Sequence, residues 1–116
     1  MQSNIYGKKS EIIASDFLKQ KGYKIIEVNH KNKVGEIDII AQDKDYLVFV
    51  EVKARMSRAF GDPLEAVDYR KQQKIRQVAE LYLIMKRKTN VNCRFDVVSI
   101  LGNENPEISH VENAFN

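Results

Sequence analysis

A chain of 116 residues with 43% hydrophobic and 30% charged side chains is long enough for one ordinary core and too apolar to be disordered. Its formal net charge of +3 is too small to argue for nucleic acid by itself, and one cysteine with two histidines makes neither an internal disulfide nor a zinc set. No apolar run approaches the length of a membrane span, and no charged start followed by an apolar run marks a signal peptide, so one cytoplasmic domain over residues 1–116 is expected.

Residues 4–20 read as a helix, with Ile13, Phe17, Ala14 and Leu18 at helical spacing and Gly22 as its stop. Glu11 shares a face with Ala14 and Leu18 and so points toward whatever they cover; an acid near the positive helix N-terminus is the plainer account of it. Residues 23–29 have the composition of a strand. The polar run His30-Lys31-Asn32-Lys33 reads as a connection, which makes His30 an exposed loop histidine within reach of a phosphate at most.

Residues 34–53 hold two apolar runs rich in Ile, Val, Phe and Tyr, joined by Asp43-Lys44-Asp45, and predict a β-hairpin. Its anomaly is charge: Asp38, Glu51 and Lys53 occupy positions where a core strand would carry apolar residues. Alternation sets Glu51 and Lys53 on one face with Leu47 and Phe49. With Asp43 and Lys44 as the central turn residues, Asp38 pairs with Phe49, diagonal to Glu51, and Glu36 pairs with Glu51. A one-residue slip would move Asp38 to the other face.

Two carboxylates beside an ammonium group suit a hard divalent cation and phosphodiester hydrolysis. An internal ion pair, such as Glu51 with Lys53, fits the same spacing. Because a buried ion pair is often no more stabilising than apolar residues of the same volume, three charges on one strand face ask for a function.

After Lys53, residues 54–61 read as a loop, and Asp62-Pro63-Leu64-Glu65 carries three cues for a helix start. The pattern restarts at Asp68, where Ile75, Val78, Ala79, Tyr82 and Met85 form the apolar stripe of a helix ending near Lys88. Lys71 lies one turn before Ile75 on that stripe; a solvated first-turn lysine is the competing account. Residues 92–101 predict a strand, 102–106 a turn, and 108–111 a short last strand. Cys93, in a strand-like run, reads as a small buried side chain. Basic residues gather behind the hairpin and acids in the tail, as a phosphate-binding face would require, although a solvated helix surface also fits.

Glu51-Val52-Lys53, with Asp38 on the strand before, resembles the core motif of the PD-(D/E)XK, or restriction-endonuclease-like, nucleases. The wider string resembles the YraN-like family of bacterial proteins, related to archaeal Holliday junction resolvases. That string includes Gly7, Glu11, Asn29, Gly35-Glu36-Ile37-Asp38, Phe49-Val50-Glu51-Val52-Lys53-Ala54-Arg55, Gly61 with Pro63, Lys71, Tyr82-Leu83, Arg94-Phe95-Asp96-Val97 and Asn113-Ala114-Phe115. Ile37 stands where the superfamily's name puts proline, as is usual in the resolvase-like branch.

Periodicity gives the order α-β-β-β-α-β, an α/β chain with a mixed sheet of four or five strands, and the resemblance implies the restriction-endonuclease-like packing of helices on that sheet. The resemblance also implies a Mg²⁺- or Mn²⁺-dependent endonuclease acting on DNA, including branched DNA. In that reading Asp38, Glu51 and Lys53 are catalytic. Asp38 and Glu51 hold the metal with the Val52 carbonyl, Glu11 completes the shell through water with Glu36 as its substitute, and Arg55, Arg58, Lys71 and Lys74 contact nucleic acid. Junction resolution further implies a homodimer, since it takes two opposed cuts. The alternative in another class keeps the fold as a non-catalytic nucleic-acid- or partner-binding module.

Overall fold

The computed structural model describes residues 2–57 and 67–116, with side chains from Lys9 onward. In chain order the elements are α1 (Gln2–Gln20), β1 (Lys24–Lys31), β2 (Glu36–Asp43), β3 (Tyr46–Arg55), α2 (Tyr69–Met85), β4 (Asn92–Leu101) and β5 (Glu107–Phe115). The strands form one five-stranded sheet in sequential order, antiparallel throughout except for the parallel β3–β4 pair. A parallel pair needs a long crossover, and α2 lies within it. This is the expected α/β, restriction-endonuclease-like fold.

Alternation along β3 divides the core in two. Leu47 and Phe49 join Ile40, Ile75, Val78, Ala79 and Tyr82 under α2, while Val48 and Val50 join Ile39, Ala41, Val98 and Ile100 beneath Ala14 and Leu18 of α1. Each large apolar side chain so buried stabilises the fold by roughly 1.5–3 kcal/mol relative to exposure. Both helices therefore press on β3, the strand that carries Glu51 and Lys53.

The chain ends α1 with a left-handed Gly22 (φ 95°), whose N–H donates to the Lys19 carbonyl while the Tyr23 N–H donates to that of Leu18. That pair of bonds caps the orphan carbonyls and turns the chain into β1. At the start of α2, Asp68 is the N-cap, its carboxylate accepting from the Lys71 N–H at 2.9 Å, as the restart at Asp68 predicts. The other helix-start cues, Asp62, Pro63 and Glu65, lie outside the described residues.

Three expectations are corrected. The hairpin turn is Lys44-Asp45, with Lys44 at φ 55°, so Asp43 pairs with Tyr46 and Ile40 with Phe49. The register is two residues away from the expected one, and the paired stretch ends at Ile39 with Val50. Second, His30 is in β1 and buried: its imidazole meets Tyr82 edge-on, its Nδ1 lies 2.7 Å from Glu27 Oε2, and Asn32 Nδ2 lies 3.2 Å from its Nε2. Polar neighbours in sequence hid an aromatic contact made by a distant helix. Third, the last strand extends over nine residues, because the Asn113 N–H donates to buried Asp96 and Phe115 stacks on Phe95 at 5.1 Å.

A buried polar network ties the strands together beside the end of α1, where Phe17 meets the His110 ring edge-on. Arg94 binds Asp96 through Nε and Nη2 at 2.9 and 3.0 Å, and also reaches Asp43 and the Tyr23 hydroxyl. His110 Nε2 lies 2.8 Å from Asp96, and its Nδ1 lies 2.7 Å from Lys21 Nζ. A lysine ammonium can only donate, so Nδ1 accepts and the imidazole proton sits on Nε2, directed at Asp96. Burial pushes the Asp96 carboxyl up, but hydrogen bonds from His110, Arg94 and the Asn113 N–H outweigh it and hold the group below its ordinary value.

Candidate active site

The site forms where strand β2 loses its strict alternation. Ile40 and Ile37 both pack on the α2 side although they are three residues apart, with Ile39 on the α1 side between them. At that irregularity Asp38 is half-buried, and its Oδ2 accepts the N–H of Val52 from β3 at 2.8 Å. On its other flank, the pairs Val28 with Ile39 and His30 with Ile37 leave Asn29 of β1 opposite Asp38, in a left-handed conformation at φ 57°.

The carboxyls of Glu51 and Asp38 are near enough across the hairpin for each to feel the other's charge. Burial first and the charge of Asp38 second push the Glu51 carboxyl up to about 8, with Lys71 opposing. The side chain of Glu51 is only 15% exposed. Lys71, from the capped first turn of α2, sets its Nζ 3.5 Å from Glu51 Oε2 and remains 47% exposed. From α1, Glu11 approaches Asp38: burial first and Asp38 second raise its pKa, while a hydrogen bond with the Asn29 side chain lowers it.

Such an arrangement is a partly buried carboxylate pair in which the lysine neighbour does not restore the ordinary acidity of Glu51. Among the described residues no group of three His, Cys, Asp or Glu side chains is close enough to hold a metal ion. A hard, strongly hydrated cation does not need one, since Mg²⁺ is commonly held by one or two carboxylates, its own waters and substrate phosphate. Asp38 and Glu51 fit that description, with Glu11 in the surrounding field.

The sequence profile of the family described as "Uncharacterised protein family UPF0102" matches residues 10–100, a span that holds Glu11, Asp38, Glu51, Lys53 and Lys71. The chain belongs to the UPF0102 family. A UPF0102 protein of Alkaliphilus oremlandii is 48% identical over 112 residues, covering 94% of this chain and 96% of that relative. Relatives from Thermodesulfovibrio yellowstonii and Clostridium botulinum are 48% and 46% identical over 109 and 113 residues, again covering 94% of this chain and 94% and 92% of their own lengths. Each is named only as a UPF0102 protein. The YraN-like resemblance read from the motif string is this family.

Within this UPF0102 chain the other candidates are placed as follows. Lys53 is half-buried on β3, two residues beyond Glu51, paired in register with Ser99 of β4. Arg55 ends β3, exposed, with Nη1 donating to the Ala54 carbonyl. Lys74 is exposed on α2, and its stem lies against the entry to β2: a Cβ built on Gly35 would meet Lys74 Cδ at 3.4 Å and Val78 Cγ2 at 3.1 Å. The bare backbone of Gly35 is what allows α2 this close. Arg58 lies outside the described residues.

Glu36 does not face Glu51. It pairs with Lys31 of β1, 3.9 Å from that ammonium, and its side chain is 58% exposed. Asn29 entered the motif string without a role, and its side chain, which lowers the Glu11 pKa against burial and Asp38, supplies one. A strand asparagine at positive φ is the kind of residue that re-aims a side chain, but nothing in the local sequence fixes that φ. Cys93, whose thiol burial pushes up, donates to the Val91 carbonyl at 3.6 Å and has no feature of a nucleophile.

Proposed function

We propose that this protein is a divalent-metal-dependent endonuclease that hydrolyses phosphodiester bonds of DNA. The observation that carries the reading is the Asp38–Glu51 contact, in which burial and the neighbouring carboxylate hold Glu51 up at about 8. A carboxyl so placed recovers its ordinary acidity only when positive charge arrives, and a Mg²⁺ or Mn²⁺ ion is the charge this donor set suits. When bound, that ion supplies Lewis acidity at a phosphoryl oxygen and a more acidic water.

The remaining work falls to this chain's own side chains. Asp38 and Glu51 hold the ion, with Asp38 oriented by the Val52 N–H. Lys53, on the strand that bears Glu51, orients the attacking water and offsets the charge that develops on the phosphoryl oxygens. Arg55, Lys71 and Lys74 lie on elements flanking the pair and take the phosphates on either side. Glu11, near Asp38, adds to the negative field that draws the cation. Among the described residues no helix is long and apolar enough to cross a membrane.

The test is a panel of labelled single strands, duplexes, nicked and flapped duplexes, four-way junctions and RNA, incubated with Mg²⁺ or Mn²⁺. Cleavage of at least one DNA by the wild type and of none by Asp38→Ala or Glu51→Ala is expected. Cleavage that survives both substitutions, or no cleavage across the panel, would overturn the reading. If junctions are preferred, two copies of the chain should act together, and sedimentation with a junction should then show two protomers per DNA.

A further inference from the structure

The contact between Lys71 and Glu51 bears on how the site is loaded, a step that rests on the nuclease reading above. Glu51 sits at the inner end of the pair, 15% exposed, and Lys71 at the outer end, 47% exposed. The Asp68 carboxylate fixes the Lys71 backbone at 2.9 Å, yet the ammonium stands on a flexible four-carbon stem that opens to solvent. So the backbone is anchored and the charged tip is not.

We propose that the Lys71 ammonium and the divalent cation are alternative counter-charges for the Asp38–Glu51 pair, and that cation loading releases Lys71 to an incoming nucleic-acid phosphate. Once Glu51 is ionised, one ammonium at 3.5 Å faces two carboxylate charges, and a dication seated there would repel it at short range. Displaced outward, Lys71 stays on α2 one turn before Lys74, whose stem lies against Gly35, so two exposed lysines share that face of the helix. The device makes the loaded site better at capturing phosphate than the unloaded one, without any movement of backbone. By linkage, phosphate that engages Lys71 should in turn strengthen cation binding.

Two measurements without nucleic acid or turnover test the exchange. Calorimetric titration at a pH well above 8, where Glu51 is ionised in both proteins, should show Lys71→Met binding Mn²⁺ about three- to tenfold more tightly than the wild type, the gain expected when a partly exposed competing ion pair is removed. Acetic anhydride labelling of the wild type, read by peptide mass spectrometry, should show Lys71 modified roughly threefold faster in saturating Mn²⁺, with exposed Lys44 as the internal standard. Equal or weaker Mn²⁺ binding by Lys71→Met, or Lys71 labelling unmoved by Mn²⁺, overturns the exchange and leaves the nuclease reading standing. Failure of both proteins to bind Mn²⁺ overturns the two together.

Discussion

The Val52 N–H donates to Asp38 Oδ2 at 2.8 Å, so the amide between Glu51 and Lys53 in the chain is the one that aims the carboxylate of the neighbouring strand. The side chain of Asp38 and the backbone that carries Glu51 and Lys53 are therefore positioned as one unit. Sites held on strands in this way are more precise than sites on loops. Replacing Asp38 by Asn keeps an oxygen for Val52 but removes the negative charge beside Glu51. In Asp38→Asn the Glu51 carboxyl should titrate well below about 8, though still above its ordinary range because burial, the largest cause, persists. Carbon-13 NMR of the labelled Glu51 carboxyl measures it, and an unmoved midpoint would contradict the pair.

A folded pKa near 8 against 4.5 for the unfolded chain also sets how stability varies with pH. Between those values the folded protein retains a proton that the unfolded chain releases, so this group's contribution is full below pH 4.5 and is lost as pH rises through 8. Glu51→Gln keeps a neutral side chain throughout. In metal-free buffer it should flatten that decline and gain on the order of 1–3 kcal/mol at neutral pH. Urea unfolding at a series of pH values decides the point; parallel curves for both proteins would refute it.

The same proton should appear in metal binding. At neutral pH the cation must displace the proton on Glu51, so Mn²⁺ binding should release close to one proton there and almost none once the pH is well above 8. Calorimetry in buffers of different ionisation enthalpy counts it directly. Binding with no buffer dependence would place the ion elsewhere.

Lys53 and Glu51 should separate chemistry from binding. Lys53→Met is expected to bind Mn²⁺ and DNA nearly as the wild type does and to cleave about a hundredfold or more slowly, because a group that meets charge in the transition state contributes little to ground-state association. A matched loss of DNA affinity and cleavage would make Lys53 a simple phosphate contact.

Away from the site, Asp96→Ala should destabilise the fold by about 3–5 kcal/mol, since it strands the buried Arg94 guanidinium and removes the acceptor of His110. The Mn²⁺ affinity of the protein that remains folded should be unchanged. A destabilisation under 1 kcal/mol, measured by denaturant unfolding, would mean that water replaces the carboxylate readily.

The pattern of apolar residues determined most of the fold. Alternation in residues 46–52 separates Leu47 and Phe49 from Val48 and Val50, and those are the two faces that α2 and α1 cover. Strand β4 occupies the span its composition predicts, Asn92–Leu101, and α2 starts at the cap Asp68. These features are local: one residue's side of a strand, or one carboxylate's reach to an N–H three residues on, is set by neighbours in the chain. The site was legible to the same degree, in that Asp38 and Glu51 carry charge where core residues belong.

Register, partners and burial were decided only in three dimensions. Asp43-Lys44-Asp45 accommodates either of two turns, and a two-residue shift leaves every side chain on its own face, so periodicity cannot tell a hairpin that pairs Ile40 with Leu47 from one that pairs it with Phe49. His30 is buried because Tyr82, 52 positions later, folds over it. Lys71 meets Glu51, and Asn29 meets Glu11, because α2 and α1 pack on opposite faces of the strands that hold their partners. The sequence by itself thus determined which residues are charged inside a core strand and which faces the helices cover, since both follow from local period. The tertiary structure alone decided which charges meet, since contacts between distant residues depend on register and helix packing, which local pattern leaves open.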